Sequence, residues 1–355
     1  MFTILPHAYY EVRYNHRDIW AHYIKRYVVT KRVVVIGGGG GAAISLAAVP
    51  DTHQKTAVVA VTDTGRSTGV ARRIGGDMPA PGDIRATIAA TATDSQVALL
   101  LQHRFDGSVM SELNGMALGN LMLAALNRES GDFAVAVSQL NQLAHTSVTV
   151  LPVSAHSMQL CATLADGTTC HGEVAVRAPN KAPIAKCYVE PNAPALPDAL
   201  NAIREADVVI IGPGSFYTTI HAVLVIDGVR EALRNTDATV VFVMNTTTQT
   251  GQTEHMNVVD HVITIHQLVG AGVIDVTVVN TALASPAQIE QLAHEGLRPL
   301  TVTDADRDAL QAHGIHCIFA PVSEQVASNR ALWNKQDTVR HDRGALRDIF
   351  VKLLV

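Results

Sequence analysis

The sequence is poor in cysteine, in charge and, past residue 31, in aromatic side chains. Its four cysteines, Cys161, Cys170, Cys187 and Cys317, lie far apart with no CxxC pair among them. That spacing fits neither a disulfide framework nor a zinc site, so all four are expected to be buried thiols in a reducing compartment. Charged residues make up 17% of the 355, below the roughly 25% of an average soluble domain. A net charge of -5 leaves no overall basic face to hold a nucleic acid. The 17 uncharged residues from Val33 to Val49 include five consecutive glycines and fall short of the about 20 apolar residues that a membrane span needs. The amino terminus lacks the ordered charge, apolar run and cleavage site of a signal peptide, so the expected address is the cytoplasm. HExxH and Walker-type GxxxxGKS/T patterns are absent too, which weakens zinc-protease and P-loop readings.

Residues 1 to 31 differ in composition from the rest of the chain. They hold five of the seven tyrosines and carry a local charge of +3 from Arg13, Arg17, Lys25, Arg26 and Lys31 against Glu11 and Asp18. They are expected to form an extension that packs on the domain or on a partner subunit of a homo-oligomer, or that offers a protein partner an aromatic, basic surface. From residue 32 onward, continuous apolar runs (33 to 36, 57 to 61, 206 to 212, 239 to 244, 274 to 280) alternate with helical segments (132 to 144, 197 to 206, 286 to 295, 343 to 354). Such runs indicate parallel strands covered on both faces. The expectation for 32 to 355 is a Rossmann-like, doubly wound α/β domain with a mainly parallel sheet. A small β-hairpin insertion is expected at about 147 to 189, turning at Asp166-Gly167.

The chemistry sits in loops. Gly37 to Gly41 comes directly after the first strand, and a glycine turn ahead of a helix N-terminus suits a phosphate. The next loop, TDTGRSTGVARR from Thr62, offers Asp63, Ser67, Gly69 and Arg72, a hydroxyl- and guanidinium-rich anion cradle. Asp83 in PGDIR has the position of a helix N-cap, whereas Arg85 opposes the dipole of its own helix and so has a ligand or ion-pair role. Asn120 stands at the mouth of an apolar helix, as a cap or a ligand group. Gly212, Gly214 and Ser215 form a second glycine loop, and Asn245 to Thr253 offers neutral hydrogen-bonding groups for sugar hydroxyls or a base edge. If the two glycine loops face one cleft, it lies where open α/β sheets bind ligands. A GxGxxA spacing with Asp63 leaves an NAD-dependent enzyme as a weaker third reading, and His341 is the histidine to watch.

In order and spacing, the loops GGGGGAAIS, TDTGRSTGVARR, PGDIR, LGNLMLAAL, ADVVIIGPGSFYT and NTTTQTGQTEHMNVVDHV resemble the CofD/YvcK family, from about residue 31 to the carboxyl terminus. That family has a Rossmann-like fold and two known activities. One is 2-phospho-L-lactate transfer in deazaflavin coenzyme synthesis; the other is binding of UDP-N-acetylglucosamine by gluconeogenesis factors that affect cell shape. The resemblance implies ligand contacts at Gly37, Gly38, Gly39, Ser67, Gly69, Arg72, Arg85, Asn120, Gly212, Gly214, Ser215, Tyr217, Asn245 and Gln249, with Asp63 and Asp83 catalytic, and Mg²⁺ bound, only in a transferase. The family usually has Thr at Gly40, Asp at Thr64, Gly at Arg66, Arg at Val70, Asn at Ala86 and His at Met116. Losing a carboxylate and an amide disfavours transfer chemistry more than ligand binding. A nucleotide-sugar-binding regulator is therefore expected ahead of a transferase.

Overall fold

Continuous β-branched runs become the inner strands of a seven-stranded sheet in the computed structural model, which describes residues 29–108, 110–324 and 339–355. The chain divides into Met1–Thr30 and Lys31–Val355; the expected roles of residues 1 to 31 fall almost wholly outside the described residues. In chain order the strands are β1 (Arg32–Gly37), β2 (Gln54–Val59), β3 (Thr149–Pro152), β4 (Gln159–Leu164), β5 (Thr169–His171), β6 (Ile184–Glu190), β7 (Val208–Ile211), β8 (Thr239–Val243), β9 (Val276–Asn280) and β10 (Cys317–Ala320). The large sheet has the order β10-β9-β8-β7-β1-β2-β3, and every neighbouring pair is parallel. Val33 to Ile36 and Val208 to Ile211 are buried throughout, as a sheet covered on both faces requires.

The helices are α1 (Gly39–Ala48), α2 (Arg66–Ile74), α3 (Gly82–Thr91), α4 (Ser95–Gln102), α5 (Leu118–Ser130), α6 (Phe133–Leu143), α7 (Glu173–Val176), α8 (Pro197–Arg204), α9 (Ala222–Leu224), α10 (Val229–Arg234), α11 (Val258–Val269), α12 (Pro286–His294), α13 (Asp304–Ala312) and α14 (Arg343–Leu353). Helices α11 and α13 are additional to those expected. Each opens on a capping box, Asn257 with Asp260 and Thr303 with Asp306, which satisfies donors that a helix start leaves open. None of the described helices is long and apolar enough to cross a membrane.

Two expectations change. Thr149–Pro152 pairs with β2 as the edge of the large sheet, so the insertion begins after it. The insertion is a three-stranded antiparallel sheet, β5-β4-β6, more than a hairpin. Its turn lies at Asp166-Gly167 as expected: Gly167 has φ +86°, and the Asp166 carboxylate accepts from Thr168 N at 3.0 Å. The cysteines are not all buried, since Cys170 and Cys317 are half-buried.

Candidate functional site at the β1/β7 crevice

Strand order reverses between β1 and β7, and the crevice beyond their carboxyl ends is where a doubly wound sheet opens. Both glycine loops meet there. A Cβ on Gly41 would lie 2.0 Å from the Pro213 carbonyl oxygen, and Ser45 Oγ donates to the Gly212 carbonyl at 2.9 Å. The loop after β8 braces the loop after β7: Asn245 Nδ2 donates to the Gly214 carbonyl at 2.6 Å, Gln249 Oε1 accepts from Phe216 N at 2.7 Å, and Gln252 Oε1 accepts from Tyr217 N at 3.2 Å. Ser215 Oγ shares a 2.6 Å hydrogen bond with Thr218 Oγ1. These side chains hold Gly212 to Ser215 in shape, and Phe216–His221 then winds as one turn of π-helix, an irregularity common at functional sites.

The first glycine loop is approached by a protein carboxylate. Helix α1 starts at Gly39, inside the glycine run, with Gly38 extended and Gly39 at φ +53°. A Cβ on Gly38 would stand 2.4 Å from Asp83 Oδ2, and one on Gly39 would stand 2.9 Å from Asp83 Oδ1. Glycine is thus needed at both positions to admit Asp83. Asp83 is not the cap of α3: Pro81 occupies that position and Asp83 lies in the first helical turn. Its carboxyl accepts from Thr219, and burial, reinforced by the nearby charge of Asp63, raises its pKa to about 7.

Asp63 and Glu173 complete an acidic cluster. Asp63 Oδ1 accepts from Gly65 N at 2.7 Å, while Glu173, on α7 of the insertion, accepts from Thr64 N at 3.3 Å and from Arg177 at 3.4 Å. Glu173 is buried; desolvation, then its hydrogen bond with Asp63, drives its pKa far above the carboxylate range. Glu173, hydrogen-bonded to Asp63, and the nearby buried Asp83 have two physical resolutions, protonation or a hard divalent cation such as Mg²⁺, which takes carboxylate oxygens, although the oxygens of the three do not all lie within 4.8 Å of one another. Asp63, Asp83 and Glu173 are the residues that would hold it.

On the other flank lies a basic and amide cluster. Arg85 is buried in the first turn of α3 and donates to Gln102 Oε1; desolvation, then the charge of Arg104, lowers its pKa to about 10. Asn120 is not a cap either, because Ala117 holds the N-cap position of α5. Its buried Nδ2 donates to Ser67 Oγ at 3.2 Å, which also accepts from Arg104 at 3.4 Å. Gly65 to Gly69 spells GxSxG, a spacing shared with hydrolase nucleophile elbows. Here Ser67 lies inside α2, receives donors from a guanidinium and an amide, and lacks the positive φ of a strained elbow. Arg72 spends its donors on Met78 O at 3.3 Å, Ser157 Oγ at 2.9 Å and Met158 O at 2.9 Å, tying the second loop to the insertion. Gly69 packs beside the Thr64 carbonyl oxygen, 2.8 Å from where a Cβ would stand.

Residues 33–323 match the family described as 2-phospho-L-lactate transferase CofD. The chain belongs to the CofD family. Among its CofD relatives, the gluconeogenesis factor of Bacillus subtilis is 34% identical over 303 residues, spanning 84% of this chain and 90% of that one. That of Halalkalibacterium halodurans is 32% identical over 299 residues, spanning 84% and 88%. A crystal structure from Bacillus halodurans, described as a member of the UPF0052 family, matches with TM-score 0.81 at 31% identity and covers 91% of this chain and 99% of that one.

Among the described residues of this CofD-family chain, seven buried side-chain atoms have no hydrogen-bond partner. Four of them, Thr62 Oγ1, Arg85 Nε, Asn120 Oδ1 and Asn245 Oδ1, belong to the loops and helix starts of this edge of the sheet. Each such group forgoes about 1–3 kcal/mol that a partner restores. Tyr217 is instead packed inward, edge-on to Phe216, with its hydroxyl 3.9 Å from Met256 Sδ. His341 is buried, with Nε2 3.0 Å from the Met244 carbonyl, and burial lowers its pKa to about 4; it ties the last helix to β8. Glu173, Arg104 and Thr219 join the site without having been expected in it.

Proposed function

We propose that this chain is a gluconeogenesis factor that binds a nucleotide sugar of the UDP-N-acetylglucosamine type at the β1/β7 crevice and acts as a regulator affecting cell shape and envelope precursor metabolism. The observation that carries the reading is a pair of abutting glycine loops with buried, unpartnered polar atoms on the segments that follow the strands of the same sheet edge, Arg85 Nε on α3, Asn120 Oδ1 on α5 and Asn245 Oδ1 on the loop after β8 among them. Arg85 supplies charge for the diphosphate. Asn245 supplies an acceptor for the sugar or base. Burial keeps Glu173 and, in part, Asp83 protonated, so the acidic cluster repels a diphosphate weakly and binding proceeds without Mg²⁺. Relatives named gluconeogenesis factors, matched over most of their length, support the gluconeogenesis-factor part of this reading. Thermal-shift titration with UDP- and GDP-linked sugars side by side tests it: stabilisation by the UDP sugar is expected.

One observation favours a second reading, a 2-phospho-L-lactate transferase. The carboxylate missing at Thr64 has a spatial counterpart in Glu173, which reaches the same spot from the insertion. With Mg²⁺ on Asp63, Asp83 and Glu173, the cluster would orient and neutralise a transferred phosphoryl group. Turnover of lactyl-diphosphoguanosine with a deazaflavin acceptor tests this alternative.

A further inference from the structure

The small sheet carries a second cluster that the crevice does not use. Cys161 on β4 stands directly opposite His171 on β5, and Gln159, two residues before it, stands opposite Glu190 on β6. Alternation along a strand therefore puts Cys161, His171 and Glu190 on one face, opposite the core-facing Leu160, Ala162 and Leu164. Cys161 is fully buried although its face points outward, while the side chains of His171 and Glu190 are 51% and 47% exposed.

The ligand-type atoms of the three converge. Cys161 Sγ is 3.4 Å from His171 Nδ1 and 3.5 Å from Glu190 Oε2, and His171 Nδ1 is 3.3 Å from Glu190 Oε2. A tetrahedral zinc ion with bonds of about 2.3 Å to sulfur and about 2.0 Å to nitrogen and oxygen has ligand-to-ligand edges of about 3.5 Å from sulfur and about 3.3 Å between nitrogen and oxygen. The observed triangle has those edges. A proton relay through cysteine, histidine and glutamate would place thiol and carboxylate at the two different ring nitrogens. Here both face Nδ1, the arrangement of ligands around a common point.

We propose that Cys161, His171 and Glu190 bind a zinc-type divalent transition-metal ion, with the fourth coordination position open to solvent. On binding, the Cys161 thiol gives its proton to solvent and ligates as thiolate, beside the Nδ1 lone pair and one carboxylate oxygen. The ion pins the three-residue edge strand β5 to β4 and, across β4, to Glu190 on β6. Glu173 lies two residues after His171, so the same ion steadies the segment that carries Glu173 into the crevice.

The test uses the full chain, stripped with a chelator and titrated with Zn²⁺ or with Co²⁺ as a spectroscopic substitute. The expected result is one equivalent bound, with a sulfur-to-cobalt charge-transfer band and the strong visible absorption of tetrahedral Co²⁺. Cys161→Ser abolishes the charge-transfer band, and Cys317→Ser, on strand β10 of the other sheet, leaves it intact. Glu190→Gln lies on a half-exposed side chain and keeps the fold, yet weakens metal binding more than about tenfold. The proposal is overturned if the parent gives no charge-transfer band, if Cys161→Ser retains it, or if Glu190→Gln binds metal like the parent.

Discussion

Adjacent glycines in the first loop should respond to the same substitution with opposite signs. Gly40 has nothing within 4 Å of its would-be Cβ, whereas Gly41 has the Pro213 carbonyl oxygen at 2.0 Å and the Gly214 Cα at 3.0 Å. Both lie in the first turn of α1, so Gly→Ala gains up to about 1 kcal/mol from the reduced freedom of the unfolded chain at either position. At Gly41 that gain is overwhelmed. The obstacle is backbone, so the two loops must part by more than an ångström, and overpacking of this kind costs about 1–3 kcal/mol or more. Gly40→Ala should thus raise the melting temperature by up to about 1.5 °C, and Gly41→Ala should lower it by about 1–3 °C or more. Differential scanning calorimetry of the two variants beside the parent decides it. Equal shifts, or a Gly41→Ala protein as stable as the parent, would refute the claim that the two glycine loops abut.

Gly38→Val should fold, since the obstacle is the Asp83 side chain, but should lose UDP-N-acetylglucosamine affinity in calorimetric titration, because a β-branched side chain blocks the close approach of a phosphate to the loop backbone. Arg85→Ala should weaken the same affinity by up to about 3 kcal/mol, roughly a hundredfold, with helix α3 retained by circular dichroism. Acid should destabilise the metal-free protein. Buried His221, His261 and His341 have pKa values lowered to about 3, 4 and 4, so their contribution is whole above the unfolded value near 6.5 and is lost as pH falls. Asp83 and Glu173, raised in the fold, act with the opposite sign. His53 and His266 are lowered by burial too, so proton uptake on unfolding outweighs release and stability should fall with pH between about pH 6 and 4.5, measurable as a falling urea midpoint. A chain beginning at Lys31 should stay soluble and bind the ligand, because β1 begins at Arg32; aggregation would place residues 1 to 30 in an obligate interface.

The parallel core is legible in the sequence because each inner strand is a continuous apolar run, and the crevice is legible because glycine loops come directly after β1 and β7. The insertion boundary is not. Strand β3 is an edge strand with Thr149 exposed and Leu151 half-buried, so it alternates like the antiparallel strands after it. Glu173 and Arg104 sit outside any motif, and only folding brings Glu173 to Thr64, 109 positions away. The Cys161, His171 and Glu190 cluster escapes any spacing rule because cross-strand register, not sequence interval, assembles it. Asp83 has the sequence position of a cap, but Pro81 takes that role in the fold, which frees the carboxyl to face Gly38.

The most direct test of the proposed ligand site is the melting temperature of the full chain with and without UDP-N-acetylglucosamine in excess chelator. Ligand at a hundred times its dissociation constant stabilises by about 2.7 kcal/mol. The predicted result is a rise of several degrees that Gly38→Val abolishes. The contradicting result is no shift with the UDP sugar together with Mg²⁺-dependent release of GMP from lactyl-diphosphoguanosine and formation of the phospholactyl product.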